Sequence, residues 1–510
     1  MTPVMTRYRS AQRAGRDGFL QVLHAEWTKF RSVRGWVLAM VAVAPMVVLV
    51  ALLAGVSSDQ RGAPAVPVGP GGAPVTDSFY FVHRPLTGDG GITVSVSALR
   101  SAVPTGPADL RPGSVPWAKA GLIIKESTRQ GSPYAAIMVT GGHGVRMQHG
   151  YVGGTAGIPG PVSAASPRRL RLDRSGDAIT GYASADGTHW TKMGTVHVDG
   201  LGPTAQGGPF VASPPSVEGM GTVPSVSTAD FGDLRVQGGW AGGDWTGDQV
   251  GAESPSFSGY PRNTSGSFTW SDGRFTVTGA GDIAPALRQT LPTGGTLADI
   301  LTGTFAALIA VIVVGAQFVT AEYRDGTICT TLAAVPRRGR VLAAKAVVLG
   351  AVTFVAGLVG AVVAVPLGER LARAHGVYLF PVTFAAHSRI AFGTAALLAT
   401  AAILALAAGA VFRRGAAAVT GVVAVLVLPY LLVAQVPFLP ADVSNRLARV
   451  TPAAAFAVQQ TLVPYHQVTS IYTPYDGYYP LAPWAGYAVL AGYAVAGLVL
   501  AAVVLRRRDA

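Results

Sequence analysis

The chain has 510 residues, of which 50% are hydrophobic and 13% charged, with a mean hydropathy of +0.39. That composition excludes a purely soluble protein of this size and puts part of the chain in lipid. The net charge of +13 is not a nucleic-acid footprint, because residues 57–298 carry 17 basic against 17 acidic side chains and the whole excess sits beside apolar runs elsewhere. No nucleic-acid partner is expected, and the single cysteine, Cys329, excludes an intramolecular disulfide.

Residues 1–35 form a basic N-terminus in which Leu20, Leu23, Trp27 and Phe30 recur at three- and four-residue steps beside Lys29, Arg31 and Arg34. This spacing predicts an amphipathic helix, either lying along the inner membrane surface or buried against other helices. A membrane span needs about 20 mostly apolar residues. Six stretches qualify, at 36–56, 297–320, 341–366, 390–411, 416–437 and 484–505. The first is too long for the apolar region of a signal peptide and is read as an uncleaved span.

Arg31, Arg34, Arg324, Arg337, Arg338, Arg340, Arg413, Arg414, Arg506 and Arg507 flank the ends that share one side, which the positive-inside rule makes cytoplasmic. Both termini, including the tail 506–510, are then inside and residues 57–298 outside. The expected fold class is a polytopic α-helical membrane protein of six transmembrane helices with a large inserted extracellular all-β domain. The span interiors carry almost no ionisable residues, Lys345 and Arg389 being placed at ends, and this argues against ion-coupled transport. The chain has no phosphate-cradling glycine loop, so any ATP hydrolysis belongs to another subunit.

Between the first two spans, Gly and Pro punctuate residues 61–74, after which short strands follow. Residues 92–96 and 169–172 alternate, 121–124 and 135–139 are short apolar runs, and the sequences at 174–177 and 186–187 are turns. A two-sheet sandwich fits this spacing. The run WAKAGLIIKES, then Tyr134, then RRLRLDRSGDAITGYASADGTHWTKMG resembles concanavalin-A-like (laminin-G-like) jelly-roll domains over roughly residues 77–237. The resemblance implies a glycan or cell-wall ligand, with Tyr134, His143 and Tyr151 as contacts, while Trp117 and Trp190 are read as core. No pair of catalytic carboxylates and no metal-ligand spacing stands out, so neither enzyme activity nor a cofactor is expected. A glycosylation sequon begins at Asn263.

The second and third spans are joined by AEYRDGTICTTLAAVPRRGR, residues 321–340. Asp325-Gly326 signals a turn, Thr327 can start a helix, Ile328, Leu332 and Val335 follow at helical spacing, and Pro336 ends the segment. Here the chain resembles type-2 ABC transporter permeases, in which a glutamate, three residues and Gly-Thr lead a short coupling helix that docks on the ATPase. The resemblance assigns that role to Glu322, Arg324, Gly326, Thr327, Leu332, Pro336, Arg337 and Arg338, with Lys345 also matching, and it extends to the N-terminal 56 residues and the five spans of 299–505. It implies an exporter permease with a separate ATPase subunit, in a homo- or heterodimer. The alternative is a membrane-anchored carbohydrate-binding sensor or adhesin, for which five of the six spans would be superfluous.

Overall fold

The computed structural model describes residues 18–507 apart from 58, 107–108, 220, 241, 252–265, 272, 292 and 336. The Asn263 sequon, Pro336, residues 1–17 and residues 508–510 therefore lie outside the described residues. Among the described residues six helices are long and apolar enough to cross a membrane, and are numbered spans 1 to 6: Arg34–Val56, Leu297–Arg324, Arg338–Ala374, Phe384–Phe412, Gly415–Gln435 and Pro483–Arg507. Helices in lipid gain little from excluding water and associate by close packing of small residues. Accordingly, a Cβ on Gly315 of span 2 would stand 2.4 Å from the Ala402 carbonyl oxygen of span 4, and one on Gly360 of span 3 would stand 3.1 Å from the Ala44 Cα of span 1.

Prolines inside spans 3 and 5 end neither helix. Span 3 passes through Pro366 and runs to Ala374 instead of stopping at the proline. One lost hydrogen bond is tolerable inside a bundle whose neighbours hold the helix. In span 5 the helix widens to a π turn over Val423–Val427 just before Pro429, whose missing N–H leaves the preceding turn without a partner. Between spans 5 and 6 come a polar helix, Ala441–Val450, and a tighter 3₁₀ element, Pro452–Gln459, whose eight residues are all buried.

The β region is a sandwich of two antiparallel sheets, of eight and seven strands among the described residues. The eight-stranded sheet is centred on Gly90–Gly106, paired with Val226–Gly238 on one side and with Arg168–Ser175 on the other. Arg168–Ser175 alternates buried and half-buried as expected, and it turns into Ala178–Ser184 through Gly176, whose φ of +62° suits glycine. Between the sheets lie Val82, Leu86, Ile92, Val94, Leu122, Ile124, Ile137, Leu170, Leu172, Phe231 and Phe275.

The middle of the seven-stranded sheet is covered on both faces, and Lys119–Lys125 and Tyr134–Thr140 are buried along their whole length. Its second face carries Phe79, Phe81, Ile123, Tyr134, Met138 and Phe210, covered by Val75 and Ile283. Those last two belong to a pair of short strands, Val75–Asp77 and Ile283–Pro285, which are the two ends of the inserted region and pair with each other, Val75 opposite Pro285. Each end is pinned by a buried charge. Asp77 accepts from Lys125 at 2.8 Å, with both side chains wholly buried, and Asp282 accepts from Lys119.

The sandwich rests on the end of the bundle where the 1–2, 3–4 and 5–6 connections lie. Gly294–Gly295 pairs in parallel with Tyr378–Leu379, Gln467 Nε2 donates to the Tyr151 carbonyl at 3.1 Å, and Ala284 and Leu287 pack with Leu462, Val468 and Tyr478. Removing one partner of a buried pair leaves a bare charge, a loss of about 3–5 kcal/mol, whereas an apolar pair of similar volume is close to neutral. Asp77→Ala should therefore lower the melting temperature of the sandwich sharply, and Asp77→Leu combined with Lys125→Met should recover only part of it, because the Tyr151 hydroxyl and the Gly131 amide also donate to Asp77. Both are read by tryptophan fluorescence of the full chain.

Candidate functional site

At the opposite end of the bundle the N-terminal helix, Phe19–Ser32, lies against spans 2 and 3. It buries Val22, Glu26 and Phe30, one face at four-residue steps. Phe30 meets the edge of Phe318 at 5.6 Å between ring centroids, and Trp36 meets the same ring at 5.2 Å. Of the four residues named from the sequence, Leu23 and Phe30 pack on the bundle, while Leu20 and Trp27 are exposed, Leu20 by 77%. The helix thus has one buried face and a separate apolar edge that is exposed among the described residues.

Glu26 on the buried face is met by Lys345 of span 3. The Lys345 ammonium lies 2.7 Å from Glu26 Oε2, 2.7 Å from Glu322 Oε1 and 4.4 Å from the centroid of Phe318. Lys29 closes the group at 3.0 Å from both Glu26 Oε1 and Glu322 Oε1, and also donates to the Thr331 hydroxyl at 3.0 Å. Lys345 and Glu26 are 2% exposed at their side chains, Glu322 10% and Lys29 38%. Two cations and two carboxylates make the cluster neutral, the condition under which charges persist away from water. Burial works to lower the Lys29 pKa, but Glu26 and Glu322 outweigh it and raise it above the ordinary lysine value.

The cluster joins four segments: the N-terminal helix, the end of span 2, the start of span 3 and, through Thr331, the loop helix Thr327–Ala334. Gly326 caps that loop helix with φ +70°, a left-handed conformation that favours glycine. Ile328 is buried and Leu332 half-buried, while Val335 packs with Val22, Leu23, Val341 and Ala344. Arg324 projects outward beside Asp325, 80% exposed. Arg337 is exposed, and Arg338 donates to the Leu505 carbonyl of span 6.

The structure therefore brings Glu322 and the loop helix together with two residues whose parts the sequence reading did not assign. Lys345 lies two turns inside span 3, because that helix starts at Arg338. Glu26 had a legible signal, since it shares a face with Val22 and Phe30 at four-residue steps, but a carboxylate in a basic segment reads as solvated.

The sandwich treats its candidate residues differently. Tyr134 and Tyr151 are 1% and 0% exposed, with the Tyr151 hydroxyl donating to Asp77 at 2.6 Å, so neither ring has a free face for a sugar. Burial, with Asp77 nearby, raises both phenol pKa values. His143 stays partly exposed, stacked on Trp117 at 4.0 Å, and its pKa is lowered by burial, by Arg146 and by His466 of the 5–6 connection. In that connection Tyr472 and Tyr478 pack under the sandwich at 4.8 Å from each other, while Tyr475 and, at the start of span 6, Trp484 remain exposed.

The model of the ABC-2 family transporter protein matches residues 175–510, two-thirds of the chain and all of spans 2 to 6. The chain belongs to the ABC-2 transporter family. It is a multi-pass membrane permease subunit of an ABC transporter, and its membership implies an ABC ATPase as partner. The alternative of an anchored carbohydrate sensor gains no support from this assignment.

No curated protein matches the permease. Among solved structures, scytalido-glutamic peptidase with a transition state analog inhibitor is 9% identical with a TM-score of 0.26, over 40% of this chain and 98% of that one. SCP-B, a member of the Eqolisin family of peptidases in a complex with a tripeptide, gives 9%, 0.25 and the same coverage. A functionally unknown protein from Saccharomyces cerevisiae gives 13% and 0.20, over 31% of this chain and 75% of that one. Likenesses at these scores carry no argument about the sandwich.

Loss of the central cation leaves two buried carboxylates facing each other, so Lys345→Met should cost the permease about 3–5 kcal/mol and detach the N-terminal helix. The measurement is protease cleavage within residues 18–33 of the membrane-embedded protein, expected to accelerate in Lys345→Met. A further Glu26→Gln change should partly slow it again.

Proposed function

We propose that the permease is the exporting half of an ATP-driven transporter whose ATPase docks on the loop helix Thr327–Ala334 and the neighbouring N-terminal helix. The observation that carries this reading is the buried cluster of Lys345, Glu26, Glu322 and Lys29. Such a cluster would carry a force on the loop helix from Thr331 through Lys29 to both carboxylates and on to spans 2 and 3. Closure of an ATPase against this element would tilt those spans as a unit. Gly326 supplies the sharp reversal that lets the chain leave span 2 and present the loop helix.

The basic residues at this end, among them Arg324, Arg337, Arg338, Arg413, Arg414 and Arg506, support its placement in the cytoplasm. The sandwich is then extracellular, where it would receive or sense a substrate or contact a glycan or cell-wall partner, with His143 as the surface candidate. The exposed edge of Leu20 and Trp27 would lie at the inner lipid interface. Two permeases, identical or different, would form the pathway between them.

The test is a pull-down of the full chain from its own membrane, with ATP hydrolysis measured on the eluate. A stoichiometric ATPase subunit should co-purify and be lost when residues 321–340 are scrambled. Gly326→Pro, which cannot adopt φ +70°, and Glu322→Ala should each uncouple hydrolysis from transport while the permease still inserts. Coupling retained in both variants rejects the docking assignment, and recovery of the permease alone rejects the ATP-driven reading.

A further inference from the structure

Where the sandwich meets the 5–6 connection, a hairpin of two short strands, Ser216–Glu218 and Gly221–Val223, and the polar helix Ala441–Val450 line a common cavity of about 580 Å³. Val217 of the hairpin, Val436 and Pro437 just past span 5, Leu439 and Ile471 give it an apolar lining. One charge stands in that lining. Asp476 borders this cavity and also a neighbouring one of about 450 Å³ beside Tyr430 and Gln459.

Asp476 accepts from the Thr473 hydroxyl at 2.9 Å, and among the described residues no basic side chain pairs with it. Arg288 is the one basic side chain that lines either cavity among the described residues, and Asp299 holds it at 2.9 Å. Glu218 of the hairpin is matched by Arg111, while Asp442, Arg446 and Arg449 of the polar helix are exposed outside the lining. The hydrogen-bonding capacity of the wall is equally one-sided. Asn445 Nδ2 already donates to the Tyr472 carbonyl at 3.1 Å and Gln289 Nε2 to the Ile471 carbonyl at 3.0 Å. Asn445 Oδ1 and the hydroxyl of Ser444, a residue only 2% exposed, have no hydrogen-bond partner among the described residues. What the wall leaves over is negative charge and lone pairs.

Such a wall repels an anion, and a neutral polyol would bring acceptors as well as donors. A divalent metal ion needs six or more oxygens converging at about 2.3–2.6 Å, whereas no three His, Cys, Asp or Glu side chains gather anywhere among the described residues. An ammonium group brings one positive charge and three donors with no acceptor. The apolar lining suits a hydrocarbon body, and Tyr475, 43% exposed in the same lining, adds a ring that attracts a cation. We propose that this cavity binds an organic primary ammonium carried on an apolar body, with Asp476 as its counter-ion. The ligand is a free amine or the amine headgroup of a lipid. This inference goes beyond the transport reading, because none of its residues belongs to the loop helix or the N-terminal helix.

The experiment uses the full chain in phosphatidylcholine nanodiscs, with empty discs as the blank and three probes of nearly equal shape: phenethylamine, 2-phenylethanol and phenylacetate. Phenethylamine should bind saturably, about tenfold or more tighter than either of the others. Asp476→Asn keeps an oxygen for the Thr473 hydroxyl but removes the charge, and Ala441→Trp fills the cavity from a half-buried lining position. Each should weaken phenethylamine binding about tenfold or more. Phosphatidylethanolamine doped into the disc separates the two sources: displacement of phenethylamine identifies a lipid headgroup, and no displacement identifies a free amine. Absence of saturable phenethylamine binding, equal binding of 2-phenylethanol, binding unchanged by either variant, or displacement by calcium ions at the probe's own concentration overturns the proposal. The probe comparison needs only the native chain, so it decides the matter where a variant fails to fold. Co-purification of the ATPase, followed in the same preparations, reports on the transport reading alone: amine binding without an ATPase leaves the cavity assignment standing, and an ATPase without amine binding leaves the docking assignment standing.

Discussion

A lysine held between two carboxylates away from water determines how one end of this permease is built. Inside the bundle Lys345 is met by both Glu26 and Glu322, and those two residues come from segments almost 300 positions apart. The N-terminal helix is therefore not free to slide along the bundle, since any other register would strand a buried ammonium. The Phe318 ring below the ammonium contributes a face, while Phe30 and Trp36 meet that ring from other sides. Such a cluster adds little net stability over an apolar core of the same volume. What it fixes is position: four chain segments meet in one arrangement.

At the other end the same logic recurs in the sandwich. Lys119 and Lys125 leave the seven-stranded sheet on the same face and meet Asp282 and Asp77, one from each end of the inserted region. The face that Tyr134 and Tyr151 occupy is closed by the chain's own entry and exit strands, so a ligand for the sandwich would have to use another surface. Both ends of the protein thus use buried ion pairs where chain segments remote in sequence must be held in register.

Much of this was legible from residue patterns, and the failures have specific physical causes. Apolar length located all six spans, because a lipid slab imposes a minimum run that little else in a sequence imitates. Helix ends were less legible: proline ends a helix in water, but Pro366 sits where neighbouring spans hold the backbone. Alternation identified Arg168–Ser175, and the continuous apolar runs at 121–124 and 135–139 marked strands covered on both faces. Pro452–Gln459 escaped because a short alanine-rich run is too brief for a span and too apolar for an exposed loop, so only packing against spans 4 and 6 defines it. The charged cluster was half visible. Glu322 and the Gly326 turn stood out by motif, whereas Glu26 and Lys345 needed the tertiary pairing to be seen.

The strand pair that closes the sandwich carries a consequence for the history of the chain. Directly opposed residues in an antiparallel pair lie about 5 Å apart, and here those residues, Val75 and Pro285, bound an excursion of more than 200 residues. To spans 1 and 2, the whole sandwich is geometrically equivalent to a tight turn. A bundle with a short connector at this point and a bundle with the sandwich can share one helical scaffold, so the large domain can be gained, lost or exchanged for another whose termini also meet, without any helix having to move.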